Sequence, residues 1–203
     1  MKLFVLLILS LFLLTGCGKD ENNSEYSSKR TSYNSLNTSN SILNNALYQS
    51  YYEEEIYQFK TTIYTKTDAR QNNLRLSCNS LNGVIIRPNE TFSFCNTLGP
   101  AKPEDGYQKA DTFDTDGDII QEYGGGKCQV SSTLYNAVKN IPGIEIVERH
   151  EHSNYVPYVA EGQDAAVAYG SIDFKFKNNN TYSIKILAEA TSDEVIIRIM
   201  KII

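Results

Sequence analysis

Apolar and polar positions alternate at two different periods along this chain, and the change of period divides it. From Ile56 to Lys66 the pattern alternates loosely (Phe59, Thr61, Ile63), which predicts a first strand. Thr67 then offers an N-cap hydroxyl and Asp68 an acid for a helix start. Leu74, Cys78 and Leu81 follow at i, i+4 and i+7, a helical face that Gly83 is placed to end. Val84–Ile86 is a short apolar strand stopped by Arg87-Pro88-Asn89-Glu90, and Thr91–Phe94 alternates again. Leu98 to Gly106 reads as loop. A second helical face appears at Val130, Leu134, Ala137, Val138 and Ile141, before Pro142-Gly143 breaks the chain. The period then returns to two. Ile144–His152 predicts a strand with His150 and His152 on one face, and Asn154–Gln163 a loop. Ala165–Tyr169 predicts a buried strand, and Ile172–Lys177, Thr181–Ala190 and Glu194–Ile202 an antiparallel meander. Helix gathers in the first part and strand in the second, so the expected class is α+β.

The stretch that fits neither period carries the chemistry. Gly124-Gly125-Gly126 cannot be an element interior, because each glycine loses the most backbone freedom on ordering. A tight turn is expected there, with Cys128 at or just before a helix N-terminus. The macrodipole and free N–H groups at such a terminus favour thiolate over thiol. A nucleophile and a small buried hydrophobe are both open readings of this cysteine. Asp114, Asp116 and Asp118 surround Gly117, but the spacing lacks the glycine position that a calcium loop needs, so a hairpin turn is expected.

Composition narrows the classes. Of 203 residues, 41% are hydrophobic and 21% charged, which allows one domain with a real core. The net charge of -5 is spread along the chain and argues against nucleic acid, which calls for a basic face.

At the N-terminus, Met1-Lys2 precedes an apolar run from Leu3 to Leu14, too short for a transmembrane helix of about 20 residues. A charged start, a short apolar core and small residues at its end read as an export signal. Leu14-Thr15-Gly16-Cys17 resembles a bacterial lipobox, which implies cleavage before Cys17 and acylation of its thiol. Membrane attachment through that lipid, on the extracytoplasmic face, follows as the expected location. The expected organisation is a signal peptide over 1–16, a lipidated tether over 17–52 and a domain over 53–203. The tether is rich in Asn, Ser and Thr and poor in branched apolar residues. With Cys17 set aside, Cys78, Cys95 and Cys128 remain, an odd number outside the cytoplasm. Cys78 with Cys95 is the preferred pair; three unpaired thiols is the alternative.

Several long motifs occur in order over about Tyr57 to Ile186. They include Arg87 to Phe94, Leu98-Gly99-Pro100, the glycine triplet, and Cys128-Gln129-Val130-Ser131-Ser132-Thr133-Leu134-Tyr135-Asn136. Glu148-Arg149-His150, His152-Ser153, Val156, Tyr158, Gly162, Asp164-Ala165 and Asp173 to Phe176 complete them. Together they resemble the VanW-like domain. The pattern usually has an apolar residue at Lys127 and Asn at Cys95, so both positions depart from it. The resemblance implies a bacterial cell-envelope protein with peptidoglycan-related partners, and it supplies no reaction.

The chain order of glycine turn, cysteine at a helix start, histidine strand and then aspartates is similar to that of papain-like and transglutaminase-like thiol enzymes. Cys128 is the candidate nucleophile and His150 or His152 the candidate base. Asp164 or Asp173 would orient the imidazole, with Gln129 or helix-end N–H groups stabilising an oxyanion. Cys128, His150 and His152 also form a three-ligand set of the open zinc type. No metal or cofactor is expected. The two functional expectations are a thiol hydrolase or transpeptidase of wall peptides, and a non-enzymatic module that binds the wall or a partner.

Overall fold

In the computed structural model, residues 52–113 and 118–203 are described. The signal segment, Cys17 and the tether through Tyr51 lie outside the described residues, as does the turn at 114–117. No helix among the described residues is long and apolar enough to cross a membrane.

The core is one antiparallel sheet covered on one face by two helices. The sheet runs β1-β9-β8-β2, with β1 at Glu53–Thr62, β2 at Ile85–Ile86, β8 at Ser183–Ala190 and β9 at Glu194–Ile202. Alternation drives it: Ile184, Ile186 and Ala188 on β8, and Val195, Ile197 and Ile199 on β9, are all buried. Helix α1 (Asp68–Leu81) and helix α3 (Lys127–Val138) pack on that face. Thr67 caps α1 through its hydroxyl, and Leu74, Cys78 and Leu81 point into the core with at most 1% exposure.

A second sheet, β3-β7-β6, joins Thr91–Ser93, Lys175–Asn178 and Ile144–Glu148. Phe92 and Phe176 stack across its register at 4.9 Å between ring centroids. The third piece is the hairpin of β4 (Lys109–Phe113) and β5 (Ile119–Tyr123), which brackets the expected Asp–Gly turn. A five-residue helix α2, Phe94–Leu98, starts where alternation and loop were expected. Ser93 caps it, its hydroxyl accepting from the Asn96 N–H at 3.1 Å.

The α+β class holds, but three local expectations are corrected. The C-terminal meander splits, because β7 pairs with β3 and β6 while β8 and β9 join β1. The split occurs at Asn178, whose buried amide donates to the Ile86 carbonyl at 3.1 Å and the Tyr182 carbonyl at 2.9 Å. Strand β6 stops at Glu148 after a bulge between Ile146 and Glu148, so the period of two does not reach the histidines. Ala165–Tyr169 is not a strand, and contributes only the single bridges His150 to Ala166 and Ala168 to Ile172.

The predicted Cys78–Cys95 disulfide is also corrected: Cys78, Cys95 and Cys128 are all free thiols. Cys78 is sealed in the core beneath α1, whereas the Cys95 thiol reaches the Ile172 carbonyl at 3.5 Å.

Leu134 is fully buried at the centre of α3. Leu134→Ala is expected to cost about 2–5 kcal/mol in urea unfolding with an unchanged m-value.

Candidate active site

The glycine triplet is required by contact as much as by conformation. Gly126, the N-cap of α3, has φ 116°, a left-handed value that other residues rarely adopt. A Cβ on Gly125 would lie 2.6 Å from the Ala110 carbonyl oxygen and 2.7 Å from that of Asp111. The turn is therefore pressed against the backbone of β4. Asn73, fully buried on α1, secures it by donating to the Gly125 carbonyl at 3.2 Å and the Gln108 carbonyl at 2.8 Å. Cys128 thus stands in the first turn of α3 at a fixed place. Its N–H belongs to the first turn, where helix geometry supplies no i−4 acceptor. The Gly124 and Gly126 carbonyls accept instead from Lys127, Gln129 and Val130.

Buried hydroxyls on α3 hold the segment that brings in the acid. Ser132 accepts from the Ala165 N–H at 2.9 Å, Ser131 donates to the Ala165 carbonyl, and Asn136 donates to the Gln163 carbonyl at 2.6 Å. Arg149 clamps the same segment, donating to the carbonyls of Asp164 at 2.6 Å and Gly162 at 2.9 Å. Its guanidinium lies 5.0 Å from the Tyr135 ring centroid. Asp164 Oδ2 accepts two hydrogen bonds from one residue, the His152 N–H at 2.7 Å and His152 Nδ1 at 2.5 Å. This fixes the ring's orientation on the groove that Cys128 also lines, where imidazole and thiol act on each other's protonation.

The electrostatics of the three groups agree with that geometry. Burial alone would push the Cys128 thiol up. The hydrogen bond and charge of His152, a backbone hydrogen bond at Val167 and the Arg70 charge outweigh it and hold the thiol below its ordinary value. Burial would likewise lower His152, but Cys128 and Asp164 raise it. Asp164 is held down against its own burial by the His152 hydrogen bonds. Such a set favours a thiolate beside an imidazolium. Cys78 and Cys95 are the contrast. Burial pushes each up to about 12, assisted at Cys95 by Asp173.

The structure therefore brings together Cys128, His152 and Asp164, and puts the other predicted residues to different use. His150 faces Glu148, 3.1 Å from its carboxylate. Asp173 anchors the start of α2, accepting from the Ser93 hydroxyl at 2.5 Å and the Cys95 N–H at 2.8 Å. Gln129 donates to Thr61 Oγ1 at 3.2 Å and the Thr62 carbonyl at 3.0 Å, so both amide protons are committed to β1. With His150 turned away, the Cys128, His150 and His152 ligand set does not assemble, and no cluster of three metal-binding side chains occurs among the described residues.

Three residues given no role from sequence belong to the site. Arg70 on α1 donates to Gln129 Oε1 at 2.9 Å. Tyr158 lines the same groove, and burial pushes its phenol up, so it remains a neutral O–H group. Arg149 braces Asp164. Arg149 and Tyr158 stood within the matched motifs, and Arg70 lies one turn before Leu74 on α1.

Cys128 and His152 open on a groove of about 770 Å³, walled by the β5 end, the glycine turn and Ala166–Tyr169. A smaller pocket of about 220 Å³, lined by Tyr64, Ile119 and Pro157, adjoins it and shares Arg70, Gln129 and Tyr158.

The profile of the VanW like protein family matches residues 69–200. The chain is 38% identical over 144 residues to the uncharacterized protein YoaR of Bacillus subtilis (strain 168), covering 71% of this chain and 47% of that protein. It is 30% identical over 131 residues to the vancomycin B-type resistance protein VanW of Enterococcus faecalis (strain ATCC 700802 / V583), covering 61% of this chain and 46% of that protein. The chain thus spans about half the length of these curated relatives. No solved structure matches it.

Alkylation by iodoacetamide at pH 7, mapped by mass spectrometry, is expected to modify Cys128 more than roughly a hundredfold faster than Cys78 or Cys95. Its pH midpoint should lie below the ordinary thiol value of about 8.5. His152→Ala removes the proton donor and the positive charge, so the midpoint should move up. Asp164→Asn should move it in the same direction by less.

Proposed function

The chain belongs to the VanW-like family, and we propose that it is a thiol hydrolase or transpeptidase acting on peptides of the bacterial cell wall. The observation that carries this reading is the Cys128–His152–Asp164 set, with Cys128 and His152 lining a groove, Asp164 buried behind the imidazole, the thiol held low and the imidazole held high. Attachment outside the membrane through acylated Cys17 is part of the proposal. It draws on the lipobox-like Leu14-Thr15-Gly16-Cys17 and not on the folded domain. The peptidoglycan substrate draws on the envelope setting that the family resemblance implies.

In this reading the Cys128 thiolate attacks a peptide carbonyl and forms the C–S bond. The oxyanion is met by the Cys128 N–H, one of the donors that the helix start leaves available. His152, oriented by Asp164, gives its proton to the leaving amine as the C–N bond breaks. The thioester is then resolved by water, with His152 taking the proton, or by an acceptor amine in a transpeptidation. Tyr158, which lines the same groove, offers a further neutral donor.

The test is incubation of the full chain with purified wall peptides, read by mass spectrometry for cleaved or cross-linked products and for the acyl-enzyme. Cys128→Ser and His152→Ala should each lower turnover by at least about a thousandfold while folding is retained. His150→Ala should change it by less than about threefold. The kcat/KM profile should rise through the lowered Cys128 value, since the thiolate is needed. It should fall through the raised His152 value, since the imidazolium must protonate the amine. Wall-peptide binding without turnover, equal in wild type and Cys128→Ser, would replace the enzyme with the non-enzymatic binding module.

A further inference from the structure

Arg70 stands where the groove and the smaller pocket meet, and its charge is poorly compensated. A guanidinium carries five N–H donors. Here Nη2 donates to Gln129 Oε1 at 2.9 Å, and Nη1 reaches the Asp111 carbonyl only at the 3.5 Å limit. The Nε is shut off from solvent with no partner. Arg70 forms no ion pair among the described residues. The Asp111 carboxylate is near enough to be felt but is held by Gln121. Tyr158 and Cys128 are the other titratable groups that act on it, and burial lowers Arg70 from its ordinary value. A largely buried, under-partnered guanidinium is costly to the fold on its own and gains most from an incoming planar anion.

We propose that Arg70 is the carboxylate-recognition residue of this site, and that its substrate class is peptides whose free C-terminal carboxylate lies one residue beyond the carbonyl attacked by Cys128. The proposal rests on the thiol reading given above. Arg70 and Cys128 line the same groove. The two are close enough for the charge of each to act on the other, so a carboxylate seated on Arg70 and the carbonyl under attack belong to neighbouring residues of one peptide. Gln129 is the positioning residue: with both amide protons fixed on β1, its oxygen is turned to Arg70 and holds the guanidinium at the pocket boundary. Beyond it, Tyr64, Ile119 and Pro157 supply a mainly apolar recess for the terminal side chain. The resulting activity is removal or exchange of a peptide's last residue.

Two small alkylating agents test this without a known substrate. Iodoacetate carries a carboxylate beside the reacting carbon, and iodoacetamide is its neutral counterpart. The ratio of their rate constants at Cys128, normalised to the same ratio for glutathione, should exceed one by about tenfold, the equivalent of roughly 1.4 kcal/mol. Arg70→Gln should return it to about one, and Arg70→Lys should fall between; loss of the Arg70 charge also lifts the Cys128 thiol and slows both reagents, which the ratio cancels. A ratio unchanged by Arg70→Gln, with iodoacetamide fast in the wild type, overturns carboxylate recognition and leaves the thiol reading standing. Slow iodoacetamide reaction in the wild type overturns the thiol reading itself. Should Arg70→Gln fail to fold, protection of wild-type Cys128 decides. N-acetylalanine should slow iodoacetamide and N-acetylalaninamide should not, whereas equal protection or none sinks the proposal.

Discussion

Helix α3 is buried on nearly every side, and much of what it buries is polar. Gln129, Ser131, Ser132, Thr133 and Asn136 are all enclosed, alongside Val130, Leu134, Ala137 and Val138. Each enclosed polar atom must find a partner, since leaving one unmade costs about 1–3 kcal/mol. The partners define the architecture around the helix. Thr133 meets Thr61 of β1 at 2.8 Å, Gln129 meets β1 and Arg70, and Ser131, Ser132 and Asn136 meet residues 163–165. The helix that presents Cys128 is thus the same body that fixes Asp164, and through Asp164 the imidazole of His152. Relative placement of the three groups follows from one set of obligatory hydrogen bonds.

How much of this was legible depends on the range of the signal. Periodicity located α1, α3, β8 and β9, because their apolar stripes face one core and any slip of register would expose them. It misjudged the histidines. The alternation Ile144, Ile146 was extended through His152, but a bulge before Glu148 and the end of the strand turn residues 149–152 out of that register. Asp164 and Asp173 were equivalent candidates in sequence, since nothing local reveals that one receives an imidazole and the other caps a short helix. Gln129 beside Cys128 looked like an oxyanion donor, but its amide is spent on β1, a partner 67 residues away. Arg70 could have been noticed through Asn73 and Ser77, polar residues on the same buried face of α1. Nothing in the chain says which cavity such a face borders.

The cysteines show the same division between composition and environment. All three described thiols are free, and identical in intrinsic chemistry. Aliphatic surroundings silence Cys78, and burial beside a carboxylate silences Cys95. A cation, Lys127, also acts on Cys95 but is outweighed there; of the three, Cys128 alone is held low, by His152 and Arg70. Reactivity in this domain is a property of position, set by what the fold places within a few ångströms of the sulfur.

The bare backbone at Gly125 ties two parts of the cleft together. The β4–β5 hairpin pairs only with itself, and its β4 carbonyls sit directly against the turn that aims the sulfur. Gape of the cleft and bearing of the thiol are therefore one mechanical variable. A bulky cargo that levers the hairpin outward also tugs on the helix start, so crowding at the rim is felt as misalignment at the thiol.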